Sequence, residues 1–289
     1  MKVDLVMWTK NGEATLSQVL RRINQVVPAE CVNKKIVVDD HSEDRTRDIA
    51  RLYGWQVVFN LGKGISDGAN TALKHVETEF FCSFEQDLLL SPCWWIKIQD
   101  SLAEENVGAV SGVRFSDKPA CVTHLQYYAY KKYLGEAKLA SYLHNRKFSS
   151  FSLGKTLDNT LWSTKALRSV GGFPDLKCNA GIDTVLAYKL HVAGLKWIVD
   201  YTVKSVHLRV GGLRQELKHQ YWYASTLPDT WRLLAKFGLP PPIRRWGVYY
   251  RFLISFFTGV FIALKMRDPK IVVVHPMIKF YYMRGLLHG

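Results

Sequence analysis

KIVVDDHSEDRT, residues 35–46, is the stretch that decides the fold class of this chain. It begins with the nearly continuous apolar run Lys35–Val38, which is typical of a strand in a sheet covered on both faces. Asp39 and Asp40 follow directly, and unpaired carboxylates are costly in a core. We therefore expect them in a ligand crevice at the strand end, accepting hydrogen bonds from a base or ribose. The alternative is a helix-entry turn capped by Ser42.

Apolar strands and amphipathic helices alternate over residues 1 to about 115. The pattern predicts strands at Val3–Met7, Lys35–Val38, Gln56–Phe59 and Phe80–Phe84, with helices near 16–23, 42–53 and 68–75. This order predicts an α/β fold with a mostly parallel, Rossmann-like sheet and helices on both faces. Ligands of such sheets bind beyond the carboxyl ends of the strands. The polar residues after each strand are therefore the candidate site.

Beyond residue 115 the pattern changes twice. Residues 116–160 have no clear period, and only Leu125–Tyr142 is predicted to be helical. Regular elements return over 161–207, with helices at Thr164–Val170 and Asp183–Val192 and a strand at Trp197–Val206.

Composition narrows the function classes. The chain has 289 residues, of which 48% are hydrophobic, and this excludes a disordered or collagen-like protein. The net charge of +14 favours an anionic partner: nucleic acid, nucleotide phosphates or an acidic membrane surface. The five cysteines have no CxxC spacing, which argues against a zinc site and favours a reducing compartment. The first ten residues lack the apolar run of a signal peptide.

Two further polar clusters follow predicted strands. Glu85 and Asp87 come after Phe80–Phe84, and two carboxylates at that spacing can hold a hard divalent cation that neutralises a diphosphate. Asp183 begins a predicted helix, and His207 follows the last strand. Each has an ordinary alternative, namely an acidic surface turn, a helix cap and a structural histidine.

Taken together, these motifs resemble family 2 glycosyltransferases, which have the GT-A fold. The stretch VVDDHSEDRTRDIARLYG resembles the family signature VVDDxSxDxT, and NLGKGISDGAN resembles the loop that enters its next helix. Glu85-Gln86-Asp87 stands where the family has its DxD metal motif. The run GGFPDLKCNAGIDTVLAYKLHVAGLKWIVDYTVKSVHL resembles the block GGF…EDxDLxxRLxxAGxxI…VxH. The resemblance covers about residues 3–210.

The resemblance implies an inverting transfer of a sugar from a nucleotide-diphosphate sugar to an acceptor hydroxyl, with Mn²⁺ or Mg²⁺ as cofactor. It implies that Asp183 is the catalytic base and that Asp87 and His207 bind the metal. The residues that it implies for the nucleotide are Thr9, Asp39, Asp40, Lys63, Asp67 and Glu85. Two basic residues after His207, Arg209 and Arg214, are candidates to close over the phosphates.

The chain departs from the family pattern at three acids. Glu85 replaces the first aspartate of DxD, and Ile182 and Val185 replace the acids flanking Asp183. A catalytically inactive GT-A-like scaffold is therefore one alternative. A basic nucleic-acid-binding protein is the other, although no helix-turn-helix, RRM or zinc-finger pattern is found. The motif QxxRW is absent, so a processive synthase is not expected.

The C-terminal part differs from the rest. Residues 246–264 contain one charge, Arg251, and as a helix would be about 28 Å long. The uninterrupted apolar part, 252–264, is short for a span and is surrounded by basic and aromatic residues. We expect peripheral attachment to the inner, cytoplasmic face of the cell membrane; the alternative is helices packed on the catalytic domain.

These patterns predict two regions. A GT-A catalytic domain is expected over 1–215, with a nucleotide-binding half at 1–115 and an acceptor half at 116–215. A helical, basic and aromatic extension is expected over 216–289. A lipid-linked or cell-surface glycan acceptor fits this organisation, and no nucleic-acid partner is expected.

Overall fold

The computed structural model describes residues 1–116, 155–176, 181–208, 211–236 and 245–289. The helix predicted over Leu125–Tyr142 and the candidate phosphate ligand Arg209 lie outside the described residues. The described chain divides into two compact units. The first contains 1–116, 155–176 and 182–208, and the second contains Gly181, 211–236 and 245–289.

The first unit is built on an eight-stranded sheet with strand order β3-β2-β1-β4-β7-β6-β8-β5. The strands are β1 (Val3–Thr9), β2 (Val32–Asp39), β3 (Gln56–Phe59), β4 (Phe80–Glu85), β5 (Leu88–Leu89), β6 (Val107–Ser116), β7 (Thr160–Ser163) and β8 (Lys196–His207). The helices of this unit are α1 (Glu13–Val26), α2 (Thr46–Leu52), α3 (Gly64–His75), α4 (Trp94–Asp100), α5 (Thr164–Ser169) and α6 (Ile182–Val192). Short 3₁₀ turns occupy Ala29–Cys31 and Ser101–Ala103.

Burial explains why the apolar runs become strands. All seven residues of β1 are buried, as are the last four of β2, which is the burial expected of strands covered on both faces. In α1, the side chains of Leu16, Val19, Leu20 and Ile23 are fully buried at the predicted helical spacing. Each such side chain contributes about 1.5–3 kcal/mol on burial. The predicted α/β class is confirmed.

The strand register brings the ends of three parallel strands together. Thr9 on β1 is opposite Asp39 on β2, and Trp8 is opposite Glu85 on β4. The pairings among β1, β2, β3 and β4, and that of β6 with β8, are parallel, whereas those of β7 and β5 are antiparallel. Through the β5–β8 pairing, Leu88 lies opposite His207. Residues from distant parts of the chain therefore meet at one edge of the sheet.

Two predicted helix starts are wrong, for local reasons. Ser42 does not cap α2, because its hydroxyl oxygen accepts a hydrogen bond from the Asn11 N–H at 2.9 Å and the helix begins four residues later. The third helix begins at Gly64 rather than near Gly68. Asp67 in its first turn accepts a hydrogen bond from the Lys63 N–H at 2.8 Å, which satisfies a donor at the helix start.

The second unit consists of α7 (Leu213–Lys236), α8 (Arg245–Met266) and α9 (Ile271–His288). Gly285 permits close packing of α9 on α7, because a Cβ there would lie only 2.3 Å from the Tyr221 carbonyl oxygen. Phe252 of α8 contacts Phe280 of α9, with ring centroids 5.7 Å apart. Within the described residues, Gly247–Met266 is the one helical stretch whose length and composition would allow it to cross a membrane.

Candidate active site

Two acidic side chains and a histidine converge at the edge where β4 ends and β5 pairs with β8. Glu85, Asp87 and His207 each offer a ligand atom, and these atoms all lie within 4.8 Å of one another. His207 Nε2 is 3.3 Å from Asp87 Oδ2. Residues more than a hundred positions apart in sequence thus form one group.

The backbone holds this group in place. Asp87 stands immediately before β5, and its carbonyl accepts a hydrogen bond from the Leu208 N–H at 2.7 Å. This contact extends the β5–β8 pairing and places Asp87 beside His207, the last residue of β8. The Gln86 side chain bonds both the N–H and the carbonyl of Lys10, at 2.9 and 3.0 Å. The turn between β4 and β5 is therefore anchored on both sides.

The donor set fits a divalent cation with mixed oxygen and nitrogen preference. Two carboxylates supply hard oxygen ligands, and a buried imidazole supplies a nitrogen, a combination suited to Mn²⁺. The close approach of Asp87 and Glu85 also places two negative charges together, which a cation would neutralise. Glu85, Asp87 and His207 are the residues that would hold a metal.

A basic residue sits beside this group. Arg114 on β6 lies 3.6 Å from Glu85 Oε2 and 3.4 Å from Asp158 Oδ2. Asp158 is fully buried, and its other oxygen accepts no hydrogen bond within the described residues. Arg114 is therefore the cation that balances a buried acid next to the candidate metal ligands.

The electrostatics of the cluster perturb two of its acids. Burial raises the pKa of Glu85 well above its usual range, and the negative charge of Asp158 raises it further, whereas Arg114 lowers it. Burial likewise raises the pKa of Asp183, against the hydrogen bond from the Thr184 N–H at 2.8 Å and the charge of Arg114. The charge of Asp183 contributes to the raised pKa of Glu85, so these acids share one electrostatic environment. Such perturbed groups are typical of active sites.

The carboxylates that follow β2 organise the neighbouring loops. Asp39 is fully buried, and its Oδ1 is 3.5 Å from the Thr9 hydroxyl. Asp40 accepts hydrogen bonds from Asn60 Nδ2 and the Gly64 N–H, each at 3.2 Å, and its Oδ2 lies 3.3 Å from Lys10 Nζ. The structure therefore brings Thr9, Asp39 and Asp40 together at the ends of β1 and β2.

The remaining predicted residues occupy different positions. Lys63 is exposed at the start of α3. The Asp67 carboxylate accepts a hydrogen bond from the Lys63 backbone N–H, so Asp67 has a structural partner. Arg214 is in the first turn of α7, which belongs to the second unit.

Sequence reasoning missed three residues of this edge. Arg114 and Asp158 carried no motif, since they lie on and beside strands that pair only in the folded chain. Asn60 is the first residue of the quoted stretch NLGKGISDGAN and follows β3 directly. Because Asp40 follows the neighbouring strand β2, the hydrogen bond from Asn60 to Asp40 could have been proposed from the sequence.

Residues 4–162 match the family model described as "Glycosyl transferase family 2". No curated protein matches the chain.

Solved structures show a similar fold over most of the chain. One is a mannosyltransferase from Pyrobaculum calidifontis in complex with GDP-Man and Mn²⁺, with a TM-score of 0.67 and 19% identity over 97% of this chain and 86% of that one. Another is glucosyl-3-phosphoglycerate synthase from Mycobacterium tuberculosis in complex with Mn²⁺, UDP and glucosyl-3-phosphoglycerate. It has a TM-score of 0.56 and 18% identity over 83% of this chain and 81% of that one. The same synthase with Mg²⁺ and UDP has a TM-score of 0.59 at 17% identity, covering 83% and 81%.

Proposed function

The chain belongs to glycosyl transferase family 2, and on that premise we propose that it transfers a sugar from a nucleotide-diphosphate sugar to an acceptor hydroxyl with inversion at the anomeric carbon. The observation that carries the proposal is the group formed by Glu85, Asp87 and His207, in one electrostatic environment with Asp183. Solved structures of similar fold contain Mn²⁺ or Mg²⁺ with UDP or GDP-Man, which supports the same class of donor here.

Asp183 is the proposed general base. Its carboxylate accepts the proton of the acceptor hydroxyl while the acceptor oxygen bonds to the anomeric carbon and the bond to the diphosphate breaks. The nucleoside diphosphate leaves with the bonding electron pair, so a single displacement inverts the configuration. Partial burial of Asp183 favours this role, because a raised pKa makes its carboxylate a stronger base than an exposed one.

The other residues bind and orient the donor. A divalent cation held by Asp87, His207 and Glu85 would supply Lewis-acid stabilisation of the negative charge on the leaving diphosphate. Thr9, Asp39 and Asp40 are proposed to line the nucleotide pocket at the ends of β1 and β2, together with Lys63 and Asp67. The assignment of Arg209 and Arg214 to the diphosphate stays a prediction.

We further propose that the acceptor is a lipid-linked or cell-surface glycan and that the protein works at the inner, cytoplasmic face of the membrane. The support is the apolar and basic character of α8 and α9 in the second unit. The test compares a lipid-linked glycan with the same glycan released from its lipid. Equal transfer to both would exclude a requirement for the lipid.

The donor is tested by thermal unfolding with UDP-, GDP- and dTDP-sugars, each with Mn²⁺, Mg²⁺ or EDTA. A bound donor at one hundred times its dissociation constant stabilises the protein by about 2.7 kcal/mol. Stabilisation that requires both metal and donor supports the proposal. Donor binding without transfer by the wild type would indicate the inactive scaffold, and salt-dependent nucleic-acid binding without any donor effect would indicate the nucleic-acid alternative.

Two variants separate metal binding from proton transfer. Asp87→Ala is expected to lose the metal-dependent part of the stabilisation. Asp183→Asn is expected to keep it and to lose about 10²- to 10⁴-fold in turnover, the usual contribution of a general base. The matched control is Asp48→Asn, an exposed acid on α2. Unchanged turnover in Asp183→Asn would exclude the base role.

A further inference from the structure

The second unit exposes a broad apolar face along α8. The side chains that form it are Tyr249, Tyr250, Leu253, Phe256, Phe257, Val260, Phe261 and Leu264, all of them exposed. Successive residues of an α-helix are about 100° apart around its axis, so these eight positions fall within an arc of about 140° on one side of α8. Leu264 is 74% exposed and Phe257 79% exposed, which is far from the usual state of such side chains in a folded protein.

The opposite face of α8 is occupied by its partner helix. Ser255, Ile262 and Ala263 are buried, and Thr258 Oγ1 forms a hydrogen bond of 3.0 Å with His275 Nε2 of α9. Ile262 and Ala263 pack with Ile271, the first residue of α9. One side of α8 is therefore fixed by protein contacts, and the exposed arc is a separate face of the same helix.

The exposed face continues onto α9. Phe252 contacts Phe256 on its own helix and Phe280 on α9, with ring centroids 5.5 and 5.7 Å apart. The exposed apolar residues of α9 are Val272, Val273, Met277, Phe280 and Leu287. An apolar surface shared by two helices is larger than the scattered exposed side chains found on most soluble proteins.

Positive charge surrounds this surface. The basic residues of 245–289 are Arg245, Arg251, Lys265, Arg267, Lys270, Lys279 and Arg284, against the single acid Asp268. Arg251, Lys265 and Lys270 are exposed, and at about 100° per residue Lys265 lies about 40° beyond the edge of the apolar arc. A helix with one apolar and aromatic face beside lysine and arginine is the pattern of proteins that lie in the headgroup region of a membrane.

Resting on the proposed location at a membrane face, we infer that the exposed face of α8 and α9 binds the surface of a bilayer containing anionic phospholipids, with α8 lying in the plane of the membrane. Two features favour this occupant over a second copy of the chain. The seven cations of this region would repel their counterparts in a symmetric dimer, whereas anionic headgroups attract them. Tyr249 and Tyr250, at the N-terminal end of the exposed face, are suited to the headgroup boundary.

The packing of α8 against α9 favours the in-plane orientation. A spanning α8 would draw the charged turn 267–270, with Arg267, Asp268 and Lys270, to the far side of the hydrocarbon. In the plane, the same turn stays in the headgroup region, where its two cations meet anionic lipid.

Co-sedimentation with preformed vesicles tests the inference. Binding is expected to vesicles of phosphatidylcholine with phosphatidylserine, to weaken with added salt, and to be much lower with phosphatidylcholine alone. The double variant L253S/F257S is expected to reduce binding by about a hundredfold, because two large apolar side chains no longer enter the lipid. K265Q/K270Q is expected to reduce binding to the anionic vesicles by about thirtyfold while leaving the weaker neutral binding unchanged.

The matched control is Leu52→Ser, since Leu52 is 82% exposed on α2 of the first unit. It is expected to leave vesicle binding unchanged. Sedimentation velocity of the wild type is measured in parallel. Three results would overturn the inference: no binding to anionic vesicles, a dimer that L253S/F257S converts to monomer without changing vesicle binding, or binding that resists extraction with alkaline carbonate. The assay contains no donor, metal or acceptor, so its failure is distinct from failure of the proposed transfer reaction.

Discussion

Replacing Arg114 with methionine is expected to destabilise the first unit in a pH-dependent way. The substitution removes the cation that lies 3.4 Å from buried Asp158 and 3.6 Å from Glu85. Breaking one partner of a buried ion pair commonly costs about 3–5 kcal/mol. Because the Arg114 side chain is 39% exposed, solvent screens part of its interaction, and we expect about 2–3 kcal/mol at neutral pH. For a unit of this size that corresponds to a fall in Tm of roughly 5–10 °C.

The pH dependence follows from the acids that remain. Burial already raises the pKa of Glu85 and of Asp183, and Arg114 lowers both. Without Arg114 the folded-state pKa of each rises further above its unfolded value. An acid whose pKa is higher in the folded state than in the unfolded state stabilises the fold below the unfolded-state pKa. This contribution is lost as the pH rises through the folded-state pKa. The cost of Arg114→Met is therefore smallest in acid and grows towards neutral pH.

Urea unfolding in EDTA, at acidic and at neutral pH, measures this effect. The matched control is Arg51→Met, which removes an exposed ion pair with Asp48 on α2 and is expected to cost at most about 0.5 kcal/mol. Adding Asp158→Asn to Arg114→Met is expected to recover part of the loss, since the buried charge is then removed. A cost of Arg114→Met equal to that of the control, or independent of pH, would refute this electrostatic account.

Three further predictions concern single positions. Burial raises the pKa of Asp183, so the acidic limb of the kcat–pH profile is expected above the ordinary aspartate value of 3.8; a limb at or below it would contradict the base role. Burial lowers the pKa of His275 from 6.5 to about 4, so below pH 6.5 the unfolded chain gains a proton that the folded chain does not. The second unit is expected to lose up to about 3 kcal/mol as the pH falls from 6.5 to 4, a slope that His275→Gln should remove in urea titrations. Gly285→Val is expected to cost at least about 1–3 kcal/mol in thermal unfolding followed by circular dichroism, because its Cβ would lie 2.3 Å from the Tyr221 carbonyl; an unchanged Tm would show that α7 and α9 can separate freely.

Local patterns were sufficient for the α/β class and for the first four strands and first three helices, but they did not predict β5 or α4. A buried strand needs a nearly continuous apolar run, and an amphipathic helix needs apolar positions three and four apart, so β1, β2 and α1 could be recognised directly. Helix starts were less accurate. The start of α2 depends on a loop in which Asp39 accepts from the Ser42 N–H, and no periodicity reports that bond.

The residues of the candidate site also fall into those that the sequence identified and those that it did not. Asp39, Asp87 and Asp183 were identifiable because polar residues that follow apolar strands, or begin helices, stand out in the sequence. Arg114 and Asp158 were not, since an arginine on one strand and an aspartate just before a neighbouring strand have no fixed spacing along the chain. Only the β6–β7 pairing and the segment before β7 bring them within 3.4 Å.

The amino-acid sequence by itself determined the first four strands and the amphipathic helices between them, which strand ends are acidic, and which part of the chain is basic and apolar. Those properties depend on short-range spacing and on side-chain chemistry, both of which are local. Tertiary structure alone decided that Glu85 joins Asp87 and His207 in one group, that Arg114 balances a buried acid beside it, and that one face of α8 is exposed while the other packs on α9. Strand order and helix packing join residues more than a hundred positions apart, and the free energy of those contacts exists only once the whole sheet and the helix pair have formed.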